Sequence, residues 1–138
     1  MTKLNILAID DDEITLKLLE LILAENIYID DFITAKDGLE AMEILEQRFD
    51  INLILLDIYM PRLDGFEFLN NFKQRQYLQD IPIIVISTDI SQKQKALEFG
   101  VYDFLVKPIS KKPLNKLIKK IANGGGGNLK LIINSIQI

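Results

Sequence analysis

Four short runs dominated by apolar residues each stop at polar groups. Leu4–Ile9 ends at Asp10-Asp11-Asp12, 51–56 at Asp57, 81–86 at Ser87-Thr88, and 101–106 at Lys107-Pro108. Runs of this kind predict strands buried on both faces, as in a parallel sheet covered by helices. The polar ends then gather beyond the carboxyl ends of the strands, where ligands bind in doubly wound folds. One site containing acids, a hydroxyl and an ammonium is therefore expected.

Helical periodicity fills the intervals. Ile14, Leu18, Leu21 and Ile22 predict the inner face of a first helix that starts near Glu13, with Asp12 as its cap. Leu39, Met42, Leu45 and Phe49 predict a second helix opened by Asp37-Gly38, and Phe66, Leu69 and Phe72 a third after Asp64-Gly65. Ser91 is the expected cap of a fourth helix carrying Ala96, Leu97 and Phe99, which Gly100 stops. Pro113 suits the first turn of a fifth helix, where Leu114, Leu117, Ile118 and Ile121 repeat at helical spacing. Residues 31–35 predict a strand at the edge of the sheet. Five βα units with right-handed crossovers result, an α/β fold with a five-stranded parallel sheet flanked by five helices.

A chain of 138 residues suits one domain, here 1–122. Residues 123–128 (Asn-Gly-Gly-Gly-Gly-Asn) are a flexible linker by composition, and 129–138 form an apolar tail of unassigned role. No apolar run approaches the roughly 20 residues of a membrane span. The expectation is a cytoplasmic protein without membrane insertion. The chain has no cysteine and no histidine. That excludes thiol chemistry, a histidine general base and a phosphohistidine of its own. Residues 107–120 hold six lysines and no acid, although the whole chain carries a net charge of -4. This stretch is a solvated helix face or a docking surface for an acidic partner. It is short and lacks interleaved aromatics, so no direct nucleic-acid contact is expected.

Two unit charges about 4 Å apart repel by roughly 4 kcal/mol at an effective dielectric near 20. Asp10, Asp11 and Asp57 crowded at one sheet edge therefore call for a cation. An all-oxygen donor set favours a hard divalent ion, and Mg²⁺ suits few carboxylates with retained waters. Lys107 adds a permanent positive charge. A carboxylate kept ionised between a metal and an ammonium can act as a nucleophile toward a phosphoryl group.

These residues resemble the receiver domain of two-component response regulators, of the chemotaxis-regulator type. The resemblance lies in four blocks in order: Ile6-Leu7-Ala8-Ile9-Asp10-Asp11-Asp12; Leu55-Leu56-Asp57-Ile58-Tyr59-Met60-Pro61-Arg62-Leu63-Asp64-Gly65; Pro82-Ile83-Ile84-Val85-Ile86-Ser87; and Phe104-Leu105-Val106-Lys107-Pro108. It implies a flavodoxin-like strand order 2-1-3-4-5. It implies that Asp57 accepts a phosphoryl group from a histidine kinase or a histidine phosphotransfer protein. Asp10, Asp11, Asp57 and the Tyr59 backbone carbonyl would hold Mg²⁺; Ser87, Lys107 and the Thr88 backbone would bind the phosphoryl group. Ser87 and Phe104 would form a switch that reports to a downstream protein target at the surface of the fourth helix, fifth strand and fifth helix. The resemblance also implies a cis Lys107-Pro108 bond and leaves room for a dimer.

The chain departs from the commonest pattern at Ser87, where threonine is more usual, and at Thr88, where a small residue is typical. Tyr59 and Asp89 stand at places that tune phosphoryl lifetime in relatives. Phe104 also reads as a plain core aromatic. Two other functions compete with this reading. A receiver-like interaction module working without phosphorylation usually lacks one of the acids or the lysine, and a dehalogenase-type phosphatase wants an aspartate where Tyr59 stands.

Overall fold

The computed structural model describes residues 3–60 and 64–124. Five strands and five helices alternate: β1 (Leu4–Ile9), α1 (Glu13–Leu23), β2 (Ile29–Ala35), α2 (Gly38–Gln47), β3 (Leu53–Leu56), α3 (Gly65–Lys73), β4 (Ile83–Ser87), α4 (Lys93–Glu98), β5 (Asp103–Val106) and α5 (Lys111–Ala122). All strand pairs are parallel and the order is β2-β1-β3-β4-β5. The expected fold is the observed one.

Alternation explains why the strands read as continuous apolar runs. Leu7, Ile9, Ile54, Leu56 and Val85 point into one core, shared with α2, α3 and α4. Ile6, Ala8, Leu53, Leu55, Ile84 and Ile86 point into the other, shared with α1 and α5. Successive side chains of a strand face opposite ways, so a sheet covered on both sides needs an apolar residue at every position.

β1 starts where expected, β2 starts two residues before residue 31, and β3, β4 and β5 each start two residues later than their apolar runs suggest. Asn52 precedes β3 because its amide is spent on β1, its Oδ1 accepting from the Asn5 N–H and its Nδ2 donating to the Lys3 carbonyl. Pro82 has no N–H to give, and only its carbonyl joins the ladder, accepting from Ile54. At the edges, β2 begins at Ile29 and pairs with β1 from there. The Asp31 side chain accepts from the Phe32 N–H and the Asp103 side chain from the Phe104 N–H. Each edge strand thus has a backbone donor occupied by an aspartate, a device that discourages strand addition.

Helix faces depart from expectation in places. On α1 the buried residues are Leu19 and Leu23, whereas Ile14 and Leu21 are 79% and 73% exposed. Seven of its residues are aliphatic, so two overlapping stripes satisfy the helical period. The Asp12 cap, which accepts from the Ile14 N–H, fixes where the helix starts, and packing against the strands and α5 selects the second stripe. On the α2 side, Phe49 lies beyond the helix end and is exposed against Tyr77, with ring centroids 6.3 Å apart. Arg48 stops the helix and is held by Asp31 and Asp50, at 2.8 and 2.6 Å. Before α4, the cap is Asp89 and not Ser91: its side chain accepts from the Ser91 N–H and opens a short 3-10 turn, Ile90–Gln92. Gly100 stops the segment at φ 90°, as predicted. In α5, Leu114, Ile118 and Ile121 are buried and the lysines lie outward. The glycine run beyond Gly124 and the tail 129–138 lie outside the described residues.

Gly65 opens α3 directly under the end of β3. A Cβ there would sit 2.5 Å from the Ile58 Cα and 2.8 Å from the Asp57 carbonyl oxygen, both backbone atoms. Gly65→Ala is expected to destabilise the protein by about 2–3 kcal/mol, through overpacking that only a backbone shift relieves. Urea denaturation of the variant and wild type measures this, and an unchanged midpoint contradicts the close approach.

Candidate functional site

The ladder of the sheet continues one rung past the apolar runs and carries the polar residues with it. The Asp10 N–H donates to the Ala35 carbonyl, the Asp57 N–H to the Ile9 carbonyl, and the Lys107 N–H to the Ser87 carbonyl. Backbone hydrogen bonds therefore fix where all three charged side chains begin. Lys107 Nζ reaches Asp10 Oδ2 at 2.9 Å and Asp57 Oδ1 at 3.8 Å. One carboxylate oxygen each of Asp10, Asp11 and Asp57 lies within 4.8 Å of the others. Asp10 and Asp57 are buried and Asp11 is exposed.

The surrounding loops are built by local capping. Asp10 Oδ1 accepts from the Asp12 N–H, and Asp12 in turn caps α1. The Tyr59 N–H faces Asp57 Oδ1 at 3.4 Å. Ser87 is fully buried, and its Oγ accepts from the Asp89 N–H at 3.2 Å, while Thr88 beside it is exposed. Phe104 packs in the core with Val85, Ala96 and Val101. In the β4–β5 register it stands two rungs below the Ser87 pair. The Lys107-Pro108 bond is cis. Asp10, Asp11, Asp57, Tyr59, Ser87, Thr88 and Lys107 thus share one end of the sheet, as expected, with Phe104 beneath them.

The family model for the response regulator receiver domain matches residues 6–119. The chain belongs to this family. Receiver domains are signalling modules of two-component systems. Among curated relatives, the "Probable transcriptional regulator ycf27" of Porphyridium aerugineum is 37% identical over 123 residues, 88% of this chain and 49% of that protein. The receiver thus spans about half the length of that relative. A response regulator receiver protein from Pseudomonas putida superposes with a TM-score of 0.77 at 27% identity, covering 87% of this chain and 98% of that one. The chemotaxis protein CheY4 of Vibrio cholerae gives a TM-score of 0.76 at 26% identity, covering 87% and 99%. No helix among the described residues of the receiver is long and apolar enough to cross a membrane.

Electrostatics sets the resting state of the receiver's site. Burial pushes the Asp57 carboxyl up to about 7, and the Asp10 charge adds to the rise; Lys107 opposes it. The donor set is hard oxygen and carries more negative charge than one lysine offsets, so the acidic pocket fits Mg²⁺, which receiver domains generally bind there. Sequence reasoning did not find the bond across the two loops bordering this pocket, from the Tyr59 hydroxyl to Asp89 Oδ2 at 2.9 Å. The Asp-x-Ser cap at 89–91 was the available signal, since it fixes Asp89 on its own loop. Hydrogen bonds from Ser91 and then Tyr59 hold the Asp89 carboxyl below the ordinary carboxylate range.

A carboxyl raised in the folded state binds its proton there more readily than when unfolded. Its contribution is favourable to folding at low pH and turns unfavourable as pH rises from the unfolded value, near 4, toward 7. Without divalent ions, Asp57→Asn is therefore expected to stabilise the protein at pH 8, by on the order of 2 kcal/mol, and to leave it little changed at pH 4. Thermal melts at the two pH values in EDTA check this.

Proposed function

We propose that Asp57 accepts a phosphoryl group from a phosphohistidine on a partner kinase or phosphotransfer protein in a Mg²⁺-dependent reaction. We further propose that the change is read out at the α4-β5-α5 surface. The juxtaposition of Asp10, Asp11 and Asp57 with Lys107 is the observation that carries this reading. Asp10, Asp11, Asp57 and the Tyr59 carbonyl are the residues to hold the metal. The ion supplies charge neutralisation for the acids and for the oxygens of the transferring group.

The chain's own residues do the rest. Lys107, already shared between Asp10 and Asp57, is placed to pair with a phosphoryl oxygen once Asp57 is modified. Ser87 offers a hydroxyl, and Thr88 a backbone amide, from the neighbouring strand end. Phe104, in the core beside Ala96 of α4, is placed to couple Ser87 to that helix. A protein donor suits the flank of the site, because the stripe of Ile14, Leu18 and Leu21 on α1 is solvent-exposed. It adjoins a shallow hollow of about 340 Å³ lined by Thr15, Leu18, Thr88, Lys107, Pro108 and Ile109. Apolar surface left uncovered beside a polar site fits partner docking.

The direct test is to incubate the protein with Mg²⁺ and a small phosphodonor such as acetyl phosphate and to measure intact mass. A gain of one phosphoryl group is expected, lost in EDTA and in Asp57→Asn. Unlabelled wild type would instead favour an interaction module working without phosphorylation. For the readout, Ser87→Ala is expected to keep the mass gain and lose the accompanying amide shifts of residues 90–120 in NMR spectra; undiminished shifts contradict the switch.

A further inference from the structure

Asp89 is the most heavily engaged residue on the rim of the site. Its N–H donates to Ser87 Oγ at 3.2 Å. One carboxylate oxygen accepts from the Tyr59 hydroxyl at 2.9 Å, and the other accepts from the Ser91 N–H at 3.0 Å and from the Ser91 hydroxyl. Tyr59 follows β3 and Asp89 follows β4, so the hydroxyl–carboxylate bond ties together two loops that the sheet itself does not join. Tyr59 also approaches Asp57 through its own N–H. The result is a chain of contacts from Asp57 through Tyr59 and Asp89 to Ser87. Asp89 is moreover the cap of the turn Ile90–Gln92 that leads into α4.

We propose that the Tyr59–Asp89 hydrogen bond is a latch that holds Ser87 and the start of α4 in the resting arrangement. This regulation of the site rests on the reading of Asp57 as phosphoacceptor. Drawing the Ser87 hydroxyl toward a phosphoryl group on Asp57 either breaks its contact with the Asp89 N–H or pulls residue 89 along. Residue 89 does not follow freely while its carboxylate is tied to Tyr59 on the opposite loop. Strain on that carboxylate is passed to Ser91 and so to the turn before α4. The latch therefore contributes to the free-energy gap between the resting and switched arrangements, and a phosphoryl group must overcome it through differential contacts.

Tyr59 is half exposed, so Tyr59→Phe removes the hydroxyl without opening the core. The probe is beryllium fluoride with Mg²⁺, which mimics a phosphoryl group on a carboxylate. Apparent affinity is expected to rise about three- to tenfold in Tyr59→Phe, the range set by loss of one hydrogen bond to a charged acceptor at the surface. Amide signals of residues 90–98 in the probe-free variant should move toward their positions in the probe-bound wild type. In a Ser87→Ala background the same substitution should leave the affinity for the probe unchanged, because the latch opposes binding through Ser87. Affinity within twofold of wild type, or an equal gain in the Ser87→Ala background, overturns the latch while leaving the phosphoacceptor reading intact. Failure of the wild type to bind the probe overturns both.

Discussion

Everything at the functional end of this receiver depends on backbone hydrogen bonds that extend the sheet one residue beyond its apolar strands. The Asp10, Asp57 and Lys107 amides are each bonded to the neighbouring strand. Their side chains therefore start from positions as rigid as the core. That rigidity is what makes like charges tolerable at close range. Flexible loops would let the acids drift apart into solvent, and the pressure for a cation would vanish with them. The site is a consequence of strand register before it is a consequence of side-chain chemistry.

The same rigidity keeps Asp57 in an electrostatic setting that disfavours its charge. Burial and the Asp10 charge raise the Asp57 carboxyl to about 7, while Lys107 spans the two acids. A buried carboxylate with an imperfectly matched neighbourhood responds strongly to a change of charge, since the low local dielectric amplifies each interaction. Gly65 belongs to this arrangement too. Its missing Cβ lets α3 start against the backbone of Asp57 and Ile58, so the helix buttresses the acid from below.

Most of the fold and nearly all of the site were legible in the sequence because the relevant patterns are local. A strand buried on both faces writes itself as an apolar run, and its first polar residue marks the sheet edge. Asp10, Asp57, Ser87 and Lys107 were found in that way. Helix phase was less legible. The aliphatic residues of α1 satisfy two stripes, and only docking against the sheet and α5 selects Leu19 and Leu23, leaving Ile14, Leu18 and Leu21 outside. Phe49 misled for a related reason, since the period continued past a helix that Arg48 and its two aspartates had already ended.

The sequence alone thus determined the number and order of elements, the buried faces of the strands and the chemistry available at their ends. Those properties follow from short-range alternation and from where hydrophobicity stops. Tertiary structure decided which stripe of α1 faces inward, which side chains form hydrogen bonds and ion pairs, and that Tyr59 meets Asp89 across 30 residues of chain. Each of these joins loops or faces whose relative placement is set only when strands pair in register and helices settle on the sheet. Such contacts leave no periodic trace in the chain that makes them.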